Sequence, residues 1–168
     1  MASITLKGNA CTTVGDLPKT GSTAPSFSLT DVDLNEVTLE NFSGKKKILS
    51  LVPSLDTPTC ATSAQKFNTE ASQLEDTVIL NISADLPFAQ KRFCDSHKIE
   101  NITNLSTFRS PTFGKDYGAE IADGPIAGLL SRAIIVLSAD NTIVYTEQVP
   151  EIADEPNYDA AISAVKAI

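Results

Sequence analysis

Cys60 stands where a thiol acquires chemistry. The segment Pro53-Ser54-Leu55-Asp56-Thr57-Pro58-Thr59-Cys60 leaves a short apolar run and enters a stretch of helical spacing. Proline suits the first helical position, because the N–H it lacks has no partner there. With Pro58 in that place, Thr57 is the expected N-cap, its hydroxyl bonded to a backbone N–H two or three residues on, and Cys60 falls at the third helical position. The first helical turn carries unpaired N–H groups and a partial positive charge, which favour an anion. Thiols at such positions titrate at roughly 3.5–7.5 in strong cases, and the thiolate is the nucleophile. A guanidinium beside the sulfur would add to this. Arg132, which follows Gly128-Leu129-Leu130-Ser131 and opens an apolar run, is the candidate. Its charge is permanent, and its planar fork can hold a thiolate and a second oxygen atom together. A cysteine in a first helical turn is otherwise a buried and inert residue, so these positions alone leave both readings open.

The other cysteines narrow the chemistry. The chain has three, at positions 11, 60 and 94, with no Cys-x-x-Cys. An odd number in 168 residues argues against a secreted, disulfide-stapled scaffold. Cys11 reads as a small strand side chain. Cys94-Asp95-Ser96-His97 offers two metal ligands, too few for a closed zinc site unless Cys60 and Cys11 were to join them.

These residues need a scaffold, and the composition supplies one. With 42% hydrophobic residues, the chain suits one domain over residues 1–168 with a real core. The net charge of −8 argues against nucleic acid, which requires Lys and Arg against phosphates. Lys45-Lys46-Lys47 reads as a solvated turn leading into a strand. No apolar run is long enough to span a bilayer, and the N-terminus lacks a basic start followed by an apolar stretch; the expected location is cytoplasmic.

Ser3–Leu6 and Cys11–Val14, flanking Lys7-Gly8-Asn9, read as an opening hairpin. Pro25–Thr30 and Glu36–Leu39 read as strands. Ile48–Val52 and Val78–Ile82 are β-rich apolar runs that fit central strands. Between them Ala61, Ala64, Phe67, Ala71 and Leu74 recur at helical spacing, which makes a parallel strand–helix–strand unit. A second helix starts near Asp85 with Pro87 in its first turn; Phe88 and Phe93 are read as core residues. Thr103–Ser106 reads as a short strand, and Ser110-Pro111 as the start of a short helix ending near Gly118. Arg132–Leu137 and Thr142–Gln148 form an antiparallel pair turning at Asp140-Asn141, and Asn157–Ala167 is a final amphipathic helix. This order is that of a thioredoxin-like α/β sandwich with an added N-terminal β-hairpin.

The pattern Pro53-x-x-x-Thr57-x-x-Cys60 resembles the signature of the peroxiredoxins. The run Ser83-Ala84-Asp85-Leu86-Pro87-Phe88-Ala89-Gln90-Lys91-Arg92-Phe93-Cys94 is similar to the thiol peroxidase branch, the atypical two-cysteine peroxiredoxins. Lys7-Gly8-Asn9, Leu105–Arg109, Ile121–Pro125 and Arg132-Ala133 extend the resemblance over essentially the whole chain. It departs at Thr59, where the family more often has an apolar residue. The resemblance implies a peroxidatic Cys60 that becomes a sulfenic acid, and a resolving Cys94 in the same subunit. It implies that Thr57 and Arg132 hold the thiolate and polarise the peroxide, and that Pro53 shields the pocket from water. It further implies reduction of hydrogen peroxide and organic hydroperoxides, recycling by thioredoxin, no cofactor or metal, and a homodimer. A Cys60–Cys94 disulfide needs Cα atoms within roughly 7 Å, which two helical positions reach only by local unwinding. Two other readings are a general disulfide oxidoreductase, against which the missing Cys-x-x-Cys speaks, and a non-enzymatic metal- or redox-sensing module.

Overall fold

In the computed structural model, which describes residues 1–168, the chain opens with a hairpin of β1 (Ser3–Leu6) and β2 (Asn9–Thr12). Lys7 and Gly8 turn the corner at φ 51° and 79°. A two-residue turn with both φ positive matches the twist of the paired strands, so Asn9 joins β2 instead of the turn. A second hairpin, β3 (Ser28–Asp31) and β4 (Glu36–Thr38), ends in a 3₁₀ turn at Leu39–Phe42.

The central unit follows as β5 (Lys46–Leu51), α1 (Pro58–Ala71), β6 (Thr77–Ser83), α2 (Pro87–His97) and β7 (Thr103–Ser106). A short α3 (Phe113–Asp116) leads to β8 (Ala133–Leu137), β9 (Ile143–Gln148) and α4 (Tyr158–Lys166). Seven strands form one sheet in the order β4-β3-β7-β6-β5-β8-β9. β6 runs parallel to β5 and β7; the remaining pairs are antiparallel.

Strand alternation divides the core in two. On one face Leu49, Leu51, Leu80, Ile82 and Ile135 pack with Phe27, Phe113 and Tyr117. On the other, Ile48, Ile79, Ile134 and Val136 pack under Phe67 of α1, Phe93 of α2 and Ile162 of α4. The sandwich expected from the element order is therefore present. A third, small cluster of Ile4, Cys11, Ile121 and Ile152 fastens the N-terminal hairpin to the body.

Three expectations need correction. Lys47 is buried in β5, not solvated, and its Nζ donates to the Ala139 carbonyl (3.3 Å). Burial pushes its pKa down. Phe88 is 67% exposed, because the inward stripe of α2 runs through Pro87, Gln90 and Phe93. Ser110 does not cap α3; its hydroxyl donates to the Ser28 carbonyl, and the helix starts after Thr112. α2 starts where expected, near Asp85, with Leu86 as its N-cap and Pro87 in its first turn.

Candidate active site

The carbonyl ends of β5 and β6 deliver the two segments that build the site. After β5 the chain turns at Ser54–Thr57, with the Thr57 N–H donating to the Ser54 carbonyl (3.2 Å). Asp85, just beyond β6, braces this turn by accepting from Ser54 Oγ (2.7 Å) and the Leu55 N–H (2.8 Å). Pro58 then occupies the first position of α1 with Thr57 as N-cap, as the sequence requires, and Cys60 lies one turn in.

The expected cap bond is absent. Thr57 Oγ1 donates to the Ser54 carbonyl (3.0 Å) instead of accepting from the helix. The turn before the helix has already placed that acceptor within reach, and a hydroxyl donates to a carbonyl as readily as it accepts from an amide. No side chain caps α1, so its first-turn N–H groups stay available to a ligand.

Arg132 comes to Cys60 from the edge of β8. Its Nη2 donates to Cys60 Sγ (3.1 Å), and its Nε donates to the Ile152 carbonyl (2.8 Å). Its Nη1 is buried and makes no hydrogen bond within the chain. The Arg132 carbonyl accepts from the Val149 N–H (3.0 Å) and from Gln148 Nε2 (3.0 Å), which fixes the backbone. Both Cys60 and Arg132 are buried. A hydrogen bond from guanidinium to sulfur strengthens as the sulfur takes negative charge, and burial amplifies that effect.

Above this pair opens a cavity of ≈ 360 Å³. Pro53, Thr57 and Arg132 line it together with Leu6, Ile126, Leu129 and Ile152, so its walls are mainly apolar. Cys60 has no exposed surface of its own and lies beneath these residues. The structure thus brings Pro53, Thr57, Cys60 and Arg132 to one place. Thr59, the departure from the family pattern, donates to the Ala153 carbonyl (2.7 Å) and ties α1 to the same wall.

Sequence reading missed the residues that hold this wall. Glu151 accepts from the N–H groups of Ala153 (3.0 Å), Lys7 (2.9 Å) and Gly8 (3.0 Å) and from Thr5 Oγ1 (2.7 Å). Those bonds, the Ala153 amide first, pull its pKa down to about 2. Glu151 therefore clasps the β1–β2 turn to the strand end whose next carbonyl, Ile152, steadies Arg132. Behind Arg132, Lys66 (2.8 Å) and Tyr158 (2.9 Å) hold Glu155, whose pKa falls chiefly through the Lys66 bond. The contacts of Glu151 with Thr5, Lys7 and Gly8 and of Glu155 with Lys66 join residues far apart in the chain, and no local signal marks them.

Cys94 lies two turns into α2, half-buried, a free thiol like Cys60 and Cys11. It is not among the residues that line the Cys60 cavity. Its Sγ accepts from Asn104 Nδ2 (3.0 Å). Burial, and less strongly the Asp95 charge, push its pKa up, while the Asn104 bond works the other way. His97 is stacked on Phe93, with Nδ1 at 3.0 Å from the Phe93 carbonyl. No three His, Cys, Asp or Glu side chains converge as a metal site would need. No helix is long and apolar enough to cross a membrane.

Residues 19–162 match the Redoxin family. Thiol peroxidases of Mycobacterium tuberculosis and Mycobacterium bovis are 54% identical over 167 residues, covering 99% of this chain and 100% of theirs. A peroxiredoxin-like protein from Aquifex aeolicus superimposes with a TM-score of 0.94 at 39% identity, over 99% of this chain and 97% of that one. A thiol peroxidase from Chromobacterium violaceum gives a TM-score of 0.91 at 27% identity, over 98% and 95%. A guanidinium on a buried helix-start thiol, on this sheet and with these relatives, leads to one assignment: the chain belongs to the Redoxin family and, within it, to the thiol peroxidases.

Proposed function

We propose that Cys60 is the peroxidatic cysteine and Cys94 the thiol that resolves it. The observation that carries the reading is the 3.1 Å bond from Arg132 Nη2 to Cys60 Sγ beneath an apolar cavity. The Cys60 thiolate attacks the terminal oxygen of a hydroperoxide. An S–O bond forms, the O–O bond breaks, and the leaving oxygen takes up a proton to depart as water or alcohol. Arg132 Nη1 and the first-turn N–H groups of α1 supply donors where charge develops on the peroxide. Thr57 orients the turn, and Pro53 keeps bulk water from the sulfur. The apolar walls favour organic hydroperoxides beside hydrogen peroxide.

The Cys60 sulfenic acid then condenses with Cys94 to a disulfide and water, and thioredoxin reduces that disulfide by exchange. A cytoplasmic setting provides this reductant. A homodimer fits the apolar side chains left outside: Leu86 and Phe88 at the start of α2 and Phe108 in the loop after β7 are exposed, and the Thr107 N–H to Ser83 carbonyl bond ties the two segments.

Coupled to thioredoxin, thioredoxin reductase and NADPH, the wild type should consume hydroperoxide continuously. Cys94→Ser should complete one turnover and stall, with cycling restored by a small thiol. Continuous thioredoxin-driven cycling in Cys94→Ser would remove Cys94 from the mechanism.

Because the two cysteines occupy separate helices, oxidation should unwind the first turn of α1 and the part of α2 around Cys94. Hydrogen exchange should show protection falling in residues 60–63 and 88–97 of the disulfide form while β5 and β6 keep theirs. Unchanged protection in both helices, with the disulfide formed, would refute this.

A further inference from the structure

The resolving thiol rests on a row of polar side chains in an otherwise apolar floor. In register across three adjacent strands stand Ser50 of β5, Asn81 of β6 and Asn104 of β7. They occupy the face that carries Ile48 and Ile79, beneath the helices. All three are buried. Asn81 Nδ2 donates to Asn104 Oδ1 (2.9 Å), which turns the Asn104 amide so that its Nδ2 donates to Cys94 Sγ (3.0 Å). Ser50 Oγ has no hydrogen-bond partner. A polar network kept only for stability should be closed, since each unsatisfied member is costly in an apolar core. This one is open at Ser50 and terminates on a reactive sulfur.

We propose that Asn104, oriented by Asn81, is a positioning residue for the resolving step: it holds the Cys94 thiol and favours its thiolate. The proposal rests on the reading of Cys94 as the resolving cysteine. In that step the Cys94 sulfur attacks the Cys60 sulfenic sulfur. The S–S bond forms, the S–O bond breaks, and the departing hydroxide combines with the proton that Cys94 released. Without the amide, Cys94 would face burial and the neighbouring Asp95 charge with only a weaker backbone hydrogen bond to offset them. β6 and β7 bring no charged side chain to this face. The charges of α1 are Lys66, paired with Glu155, and Glu70.

A hydrogen bond to a charged acceptor stabilises the ionised form, so its loss should raise the thiol's midpoint. Thiolate fraction then falls about tenfold per unit at neutral pH, while nucleophilicity rises with a coefficient of about 0.4–0.5; disulfide formation should slow about threefold. In the alkaline limit, where both thiols are ionised, the deficit should vanish or reverse. A residue that merely supports the fold would not yield this crossing.

The test uses Asn104→Leu and the double variant Asn81→Leu/Asn104→Leu, which leaves no amide unpaired should the single variant fold poorly. In a Cys11→Ser/Cys60→Ser background, the pH midpoint of Cys94 alkylation reads the amide's effect with no turnover at all. In otherwise native protein, quenched-flow mass spectrometry reads Cys60–Cys94 disulfide formation between pH 6 and pH 10. A raised midpoint and a threefold deficit that closes with pH support the proposal. An unchanged midpoint, or a deficit constant with pH, overturns it while leaving the role of Cys94 intact. Absence of the disulfide in oxidised wild type overturns the reading on which it rests.

Discussion

Cys60→Ser should show no thiol-dependent hydroperoxide consumption above the rate of free thiols in the buffer. The substitution exchanges one atom in a wholly buried side chain that a guanidinium already contacts. The oxygen can accept the same Arg132 hydrogen bond, so the fold should persist and the melting temperature should move by only a few degrees. What disappears is the chemistry. A serine hydroxyl stays protonated at neutral pH, and no base stands within hydrogen-bond reach of Cys60; its one side-chain partner is Arg132. An alcohol oxygen also cannot be oxidised and re-reduced as sulfur is on passing through the sulfenic state. NADPH oxidation coupled to thioredoxin measures turnover, and circular dichroism checks the fold. Turnover at even a tenth of the wild-type rate, in folded protein, would mean that another group carries the reaction.

Much of this site could be read before any coordinates, and the reason is locality. Pro58 at a helix start, Thr57 before it and Cys60 within the first turn depend on residues next to one another, and the structure keeps each in place. The strands flanking α1 were legible for the same reason, since Ile48–Val52 and Val78–Ile82 declare buried strands by their own composition, and β5 and β6 fall on them. The failures are non-local. Thr57 was expected to serve the helix, but a turn braced by Asp85, some thirty residues on, presents the Ser54 carbonyl to it first. Lys47 reads as solvated until β8 and the Ala139 carbonyl beside it are in place. Phe88 and Phe93 look alike in sequence, yet only Phe93 lies on the stripe of α2 that meets the sheet. Asn81 and Asn104 are unremarkable as strand residues and become a unit only when β6 and β7 pair in register. Arg132 is the instructive middle case. Its position at a strand start was visible, whereas the Ile152 carbonyl that aims its guanidinium comes only after β9, 20 residues further along the chain.

That bracing makes Arg132 the second decisive position. Arg132→Met should lower the second-order rate constant for Cys60 oxidation by about 10²–10³-fold, the loss seen when one well-placed donor to a developing anion is removed. Methionine roughly keeps the volume and removes every polar contact. The reaction loses the Nη2 bond to the nucleophile and Nη1, the buried donor left unpaired beside it. The Ile152 carbonyl also loses its Nε donor, which costs about 1–3 kcal/mol of stability, so rates must be taken well below the variant's melting temperature. Arg132→Lys separates charge from geometry. A lysine retains a cation but has no planar fork and cannot serve Ile152, Cys60 and a peroxide oxygen at once. If charge alone mattered, Lys would restore most of the rate; if the fork matters, Lys should recover only a minor part. Single-turnover oxidation followed by sulfenic-acid trapping reads the step directly, independent of thioredoxin and of Cys94. A Met variant within threefold of wild type would mean that the guanidinium shapes the pocket without stabilising the transition state. Because one buried guanidinium serves both Ile152 and Cys60 and keeps Nη1 free for a third partner, the fork and not the charge should dominate.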